Sequence, residues 1–263
     1  MYKLKVHALY DHFPNLTPQD GDKYIECYCD NNVKDCIEPG KNIAMLLEPK
    51  SMIGGAYDYV RNHADLFRYI FTHDSDLLEL PQAHLLNWAD VWLTTDSEKT
   101  KGISLITSPK NWCPLHNARL ELYKMFINNP KVDCFYGDWN NPKVKNVEAR
   151  DYLEHYKFSI IIENDIDSNW YTEKVMNCFS TKTVPIYYGA TKILDIFNSD
   201  GIIFVDNWKD IPQIVDNLDI DAEYNNRLDA IEYNFKRVDH WRTPWKQRFF
   251  DTYGDLFERL CNE

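Results

Sequence analysis

The sequence predicts an α/β protein with two lobes, each built around a parallel sheet. Two groups of short apolar strands are separated by helical stretches, and strands that alternate with helices are typical of parallel sheets. The pattern starts afresh near Gly102, which indicates a second lobe. The chain has 263 residues, a length that suits two small lobes.

The first predicted lobe covers residues 1–100. Its predicted strands lie at residues 3–9, 42–47 and 69–72, and its predicted helix lies at residues 57–66. A polar, turn-rich stretch around Pro14, Pro18 and Gly21 separates the first two strands. The second strand is apolar and ends at Glu48, which a proline follows. We therefore expect Glu48 at the edge of a sheet.

The second predicted lobe covers residues 101–223, and residues 224–263 form a helical C-terminus that can pack back on the first lobe. The predicted strands of this lobe lie at residues 103–107, 132–137, 158–162 and 184–189. Its two predicted helices lie at residues 116–127 and 172–179. The strand at 158–162 is almost continuously apolar, as expected for a strand that is covered on both faces.

The composition favours a globular protein and disfavours nucleic-acid binding. Hydrophobic residues make up 44% and charged residues 27%, and the net charge is −12. A field of this sign repels phosphate backbones at long range. The N-terminus lacks the apolar stretch of a signal peptide, and no apolar run is long enough to span a membrane. We expect a soluble, cytoplasmic protein whose seven cysteines are reduced structural thiols.

A ligand site is expected beyond the strand at 158–162, because ligands of such sheets bind outside the carboxyl ends of the strands. Thr172 can cap the helix that follows, which leaves free amides to face an anion. Lys174 in the first turn opposes the helix dipole, but it becomes favourable if a phosphate binds there. Glu173 can accept hydrogen bonds from ribose hydroxyls. The simpler alternative is an exposed Glu–Lys pair on a surface helix.

The segments 156–164, 172–174 and 184–189 together resemble the donor-binding signature of the α1,3-fucosyltransferase family. The interval from Asn164 to Glu173 matches the family's spacing, and the resemblance extends over residues 103–206. It implies a GT-B-like fold, with two Rossmann-like lobes facing a cleft. It also implies an inverting transfer of a sugar, with fucose the first candidate, from a GDP-linked donor, without a cofactor or an essential metal.

The resemblance assigns roles to individual residues. Glu173 matches the ribose-binding glutamate, Lys174 the diphosphate-binding lysine, and Asn164 a donor-contacting asparagine. Arg119 resembles the arginine that pairs with the diphosphate, and its planar guanidinium suits two phosphate oxygens. By itself, Arg119 would be interpreted as a surface charge.

One position departs from the family pattern. Trp170, followed by Tyr171, stands where the family usually has a tyrosine. A tryptophan can stack against the nucleotide, but it has no phenol hydroxyl to donate. This difference bears on the identity of the donor sugar.

Glu48 is similar in setting to the family's catalytic glutamate, although a serine usually intervenes before the proline. Burial at a strand end would raise the pKa of such a carboxylate and suit it to act as a general base. The alternative is a turn residue before proline. As base, Glu48 would deprotonate an acceptor hydroxyl, while Arg119, Lys174 and the helix that starts at Thr172 stabilise the departing diphosphate.

Other patterns leave alternatives open. Asp165 and Asp167 have the Asp-X-Asp form that binds metal in another glycosyltransferase fold, and residues 73–76 are interpreted as a turn. A second function is the transfer of another sugar to a modified nucleobase or other anionic acceptor, and a third is an inactive nucleotide-sugar-binding module. The second rests on a basic run with interleaved aromatics: Lys236, Arg237, Trp241, Arg242, Trp245, Lys246 and Arg248.

Overall fold

The computed structural model describes residues 3–8, 24–138, 140–141, 143–144 and 146–263. Two compact units make up the chain: Met1–Trp88 with Pro244–Glu263, and Ala89–Thr243. Each unit contains one five-stranded sheet in which every pairing is parallel. The prediction of two parallel α/β lobes is therefore confirmed. The turn-rich stretch around Pro14, Pro18 and Gly21 lies outside the described residues, as does the end of the first predicted strand at Leu9.

The sheet of the first unit has the strand order β1-β2-β3-β4-β5. Its strands are β1 (Lys3–His7), β2 (Tyr24–Cys29), β3 (Asn42–Met45), β4 (Tyr69–Thr72) and β5 (Ala83–Leu85). Helix α1 (Lys50–Asn62) begins directly after Pro49, earlier than predicted, and the predicted helix end is a separate short 3₁₀ helix, Ala64–Leu66. The predicted strand at 42–47 stops at Met45. The Leu46 N–H still donates to the Phe71 carbonyl, but the N–H groups of Leu47 and Glu48 donate to the Asp30 side chain.

Helices cover both faces of the first sheet. On one face, α1 packs through Ala56 and Val60 against Ala44 and Ile70. The other face holds Ile25, Ile43 and Phe71, and it is covered by the last helix of the chain, Trp245–Asn262. The final helix thus completes the core of the first unit, although it lies far from the strands of that unit in the sequence.

The sheet of the second unit has the strand order β10-β9-β8-β6-β7. Its strands are β6 (Lys101–Thr107), β7 (Val132–Tyr136), β8 (Tyr156–Ile162), β9 (Val184–Tyr188) and β10 (Ile203–Phe204). The helices between and after them, with the last helix of the chain, are α2 (Pro114–Phe126), α3 (Ala149–Leu153), α4 (Glu173–Ser180), α5 (Ile193–Ile196), α6 (Ile211–Asn217), α7 (Ile220–Asn225), α8 (Leu228–Arg237), α9 (Asp239–Arg242) and α10 (Trp245–Asn262).

Strand β8 lies in the middle of this sheet and is buried on both faces, as predicted. Ile160 and Ile162 pack with α2 on one side, whereas Ile161 packs with α3 and α4 on the other. Tyr224 and Trp241 also join the cores of the second unit. Residues 224–243 therefore pack with the second sheet, whereas the predicted domain boundary at 223/224 groups them with the C-terminal segment. The sequence shows that these residues are helical, but not which sheet they cover.

The structure contains all seven cysteines as free thiols, and their reduced state in solution stays a prediction. Six of them are buried or nearly so, in keeping with a structural role. Within the described residues, no helix is both long and apolar enough to cross a bilayer. The cytoplasmic location stays a prediction.

Candidate active site

The candidate site of the second unit lies where the direction of strand addition reverses. β6 pairs with β7 on one side and with β8 on the other, so the chain moves outward in both directions from β6. Open α/β sheets bind ligands at such switch points, beyond the carboxyl ends of the strands. Arg119 is carried by α2, which follows β6, and Asn164 comes directly after Glu163 at the end of β8.

The structure brings Arg119 and Asn164 together at this point. Arg119 Nη2 donates to Asn164 Oδ1 over 2.6 Å. Burial lowers the pKa of the guanidinium, whereas the charges of Glu163 and Glu173 raise it. Arginine keeps its proton in proteins, so a full positive charge is held at the switch point.

His116 belongs to the same network, although the sequence identified it only as the start of a helix. Its Nδ1 accepts a hydrogen bond from the Trp112 backbone N–H over 3.1 Å, and its side chain also bonds to Asn164. Burial, with help from the charges of Arg119 and Lys110, lowers the pKa of His116 to about 4. The imidazole is therefore neutral near pH 7, and its remaining proton lies on Nε2.

Glu163 is the buried centre of the site, and its role was not predicted from the sequence. The side chain is completely buried, and its two oxygens accept from the Thr172 backbone N–H (3.0 Å) and from the Thr172 hydroxyl (2.8 Å). Burial raises the pKa of Glu163, and the Lys174 ammonium counteracts part of that effect. A buried carboxylate needs such partners to remain in the fold.

Lys174 lies among three acceptors. Its ammonium donates to the Thr172 hydroxyl over 3.0 Å and to Glu173 Oε1 over 3.2 Å, and it lies 3.6 Å from Glu163 Oε2. Burial lowers the pKa of Lys174, but the charges of Glu173 and Glu163 outweigh this and leave it above its ordinary value.

Two local features fix this arrangement. Thr172 is the N-cap of α4, as predicted, and its side chain accepts from the Lys174 backbone N–H. Gly189, at the end of β9, leaves the room that Glu163 needs. A Cβ atom at Gly189 would lie 2.6 Å from the Tyr187 hydroxyl and 2.7 Å from Glu163 Cγ, closer than real contacts allow.

Trp170 and Tyr171 are both buried within the second unit. Trp170 is 2% exposed and Tyr171 is 9% exposed. Tyr171 packs edge-to-face against Trp241 in the core. Contact between these rings and a nucleotide stays a prediction.

The loop between β8 and α4 holds the Asp-X-Asp pattern. Asp165 and Asp167 each accept a hydrogen bond from a nearby backbone N–H, those of Ile166 (2.8 Å) and Asn169 (2.9 Å). In the described part of the chain, no group of at least three His, Cys, Asp or Glu side chains has the arrangement of a metal site.

The remaining predicted residue, Glu48, belongs to the first unit. It lies beyond the carboxyl end of β3 and is half-buried. Residues 73–76 follow β4, with a turn at Ser75 and Asp76 as predicted. The predicted residues thus fall into a network of charges in the second unit and a single carboxylate in the first.

Comparisons with known sequences place these features in context. Residues 96–262 match the family model for the C-terminal part of glycosyltransferase family 10 (fucosyltransferase). Alpha-(1,3)-fucosyltransferase FucT of Helicobacter pylori is 28% identical over 148 residues, which is 52% of this chain and 30% of that protein. The human 4-galactosyl-N-acetylglucosaminide 3-alpha-L-fucosyltransferase FUT5 is 27% identical over 168 residues, 63% of this chain and 41% of that one. The chain thus spans less than half the length of either relative.

Solved structures share the fold. A crystal structure of an alpha1,3-fucosyltransferase with GDP has a TM-score of 0.56 at 13% identity, over 94% of this chain and 81% of that chain. The GtfA/B complex has a TM-score of 0.53 at 10% identity, over 90% and 58% of the two chains. These likenesses confirm the GT-B type of fold, with its Rossmann-like units and helical C-terminus.

Proposed function

The chain belongs to glycosyltransferase family 10 (fucosyltransferase), and we propose that it transfers a sugar, with fucose the first candidate, from a GDP-linked donor to an acceptor hydroxyl. The observation that carries the proposal is the pair of cations at the switch point of the second sheet. Arg119 is held there by Asn164, and Lys174 is held by Thr172 and Glu173. A nucleotide diphosphate is the ligand that such a pair of cations suits.

The proposed reaction is an inverting substitution. Glu48 takes the proton from the acceptor hydroxyl, whose oxygen forms a bond to the anomeric carbon. The bond from that carbon to the diphosphate oxygen breaks, and the electron pair leaves with GDP. Arg119 and Lys174 face the charge that develops on the leaving group. Because these side chains supply positive charge, the proposal includes no metal.

When the donor binds, Lys174 is proposed to exchange one of its hydrogen-bond partners for a phosphate oxygen. Lys174 now shares its protons with Glu173 and Thr172, over 3.2 and 3.0 Å. When Glu173 accepts from the ribose hydroxyls, a phosphate oxygen takes its place beside the ammonium. Glu163 stays beside Lys174, with its oxygens held by Thr172, so the cation is held in place before the donor arrives.

A glycan hydroxyl is the proposed acceptor, since the name of the human relative specifies 4-galactosyl-N-acetylglucosaminide. Three basic residues of the run that favoured an anionic acceptor have partners within the fold, and Arg237 is one of them, since it donates to the Ile196 carbonyl. Lys236 pairs with Glu232, and Arg242 pairs with Asp239. These contacts weaken the case for a nucleic-acid acceptor.

A thermal-shift screen tests the donor. GDP-fucose is expected to raise the melting temperature more than UDP- or CMP-linked sugars, because a ligand that binds only the folded chain stabilises it in proportion to its affinity. In Lys174→Ala this shift should disappear, whereas Lys192→Ala, which removes an exposed lysine of the same unit, should retain it. An equal shift in wild type and Lys174→Ala would contradict the site, and no shift with any nucleotide sugar would contradict the function.

A further inference from the structure

Side chains form hydrogen bonds to the backbone groups of Leu47 and Glu48. Beyond the end of β3, the backbone N–H groups of Leu47 and Glu48 both donate to Asp30 Oδ1, over 2.8 and 3.0 Å. The carbonyl of Leu47 accepts from Trp88 Nε1 over 2.8 Å, and the carbonyl of Glu48 accepts from the Tyr57 hydroxyl over 2.7 Å. Both N–H groups and both carbonyls are therefore bonded to side chains.

The three side chains come from separate parts of the first unit. Asp30 follows β2, Tyr57 lies in α1, and Trp88 follows β5. Asp30 adopts φ = 50°, in the left-handed region that costs an L residue energy but that aspartate tolerates better than most. The fold accepts this conformation where it directs a carboxylate at the Glu48 peptide.

His73 supports the Tyr57 hydroxyl from behind. Its Nε2 lies 3.1 Å from the Tyr57 oxygen, and both residues are buried, at 2% and 0% exposure. Since the single hydroxyl proton of Tyr57 is donated to the Glu48 carbonyl, the oxygen must accept from His73 Nε2–H. The hydrogen bonds therefore run in one direction, from His73 through Tyr57 to Glu48.

We propose that Tyr57, oriented by His73, is a positioning residue that fixes the Glu48 backbone and so aims its carboxylate at the acceptor hydroxyl. The inference rests on the proposed function, in which Glu48 is the base. A backbone that leaves a strand at the sheet edge can satisfy its groups with water. Here the buried Tyr57 and the half-buried Asp30 and Trp88, from separate elements, satisfy them instead, which fixes the peptide in one position.

Tyr57→Phe removes the hydroxyl alone, and Tyr59→Phe is its matched control. Tyr59 lies on the same helix, and its hydroxyl donates to the Cys36 carbonyl over 2.6 Å, away from Glu48. The assay is GDP release from GDP-fucose, with a 4-galactosyl-N-acetylglucosaminide present and with water as the only acceptor. In Tyr57→Phe, kcat should fall about tenfold while the KM for the donor stays within about twofold of wild type. Tyr59→Phe should change neither.

A double-mutant cycle separates positioning from a loss of structure. In the Glu48→Gln background, where no base remains to be aimed, Tyr57→Phe should leave the residual kcat unchanged. Equal kcat in Tyr57→Phe and Tyr59→Phe would overturn the inference. A full tenfold loss of kcat on adding Tyr57→Phe to Glu48→Gln would overturn it too. Either result would leave the proposed function intact. A wild-type chain that binds GDP-fucose but never releases GDP would overturn the proposed function, and the inference with it.

Discussion

The carboxyl edges of the two sheets hold their functional candidates in different ways. In the first unit, side chains bond to the backbone of Leu47 and Glu48 and fix this two-residue segment. In the second unit, side chains bond to the charged groups themselves, so that Arg119 and Lys174 each have a polar partner. The first arrangement directs one carboxylate, whereas the second keeps several charges close together.

This difference fits the two chemical tasks that we propose. A general base acts on one proton and depends on its direction, so a rigid backbone suits it. A diphosphate brings several negative oxygens, so its site needs cations that can exchange one partner for another. Substitutions in the first unit should therefore change kcat, and those in the second should change donor affinity or stability.

Glu48→Gln should have the largest effect and tests the first half of the comparison. Loss of a general base is expected to lower kcat by about 10²–10⁴-fold, while the affinity for GDP-fucose stays the same. Turnover and donor titration would be measured side by side. Glu79→Gln, which alters an exposed carboxylate of the same unit, serves as control. Wild-type turnover in Glu48→Gln would show that Glu48 does not act as base.

Gly189→Ala and Gly54→Ala compare the packing of the two units. The new methyl group at Gly189 would meet the Tyr187 hydroxyl and Glu163, so we expect a loss of about 1–3 kcal/mol in the free energy of unfolding. At Gly54, in α1, no atom lies within 4 Å of the new methyl group. Alanine there should be neutral or stabilise the fold by up to about 1 kcal/mol. Urea unfolding measures both, and equal effects would contradict the tight packing around Glu163.

The smallest expected effect is a pH dependence that comes from His116. Its pKa is about 4 in the fold and about 6.5 in the unfolded chain, so protons bind preferentially to the unfolded state. The neutral imidazole makes its full contribution to the free energy of unfolding above pH 6.5, and this contribution is lost as the pH falls towards 4. Between pH 7 and pH 5, the free energy of unfolding should fall by about 1–2 kcal/mol more in wild type than in His116→Gln. Parallel stability curves for the two proteins would contradict this.

Much of the fold could be predicted from local patterns. The strand at Tyr69–Thr72 agrees at every residue, because a short run of β-branched and aromatic residues has a strong preference. The helix α1 starts before the predicted residue 57, because packing of the helix on the sheet outweighs the low helix propensity of Gly54 and Gly55. Strand β2 was missed although the burial of its residues alternates as in a strand with one buried face. Its parallel partners β1 and β3 are visible only in the folded sheet.

The sequence by itself determined the Thr172 cap of α4 and the charges of Glu173 and Lys174 beside it, because a helix cap and its neighbouring charges interact within a few residues. Only the tertiary structure decided the partners that lie far apart in the chain. Arg119 and Asn164 are 45 residues apart and meet through the order of the strands. Leu47 and Trp88, 41 residues apart, meet beyond the edge of the first sheet. Such contacts depend on how the strands are arranged in space, which no local pattern specifies.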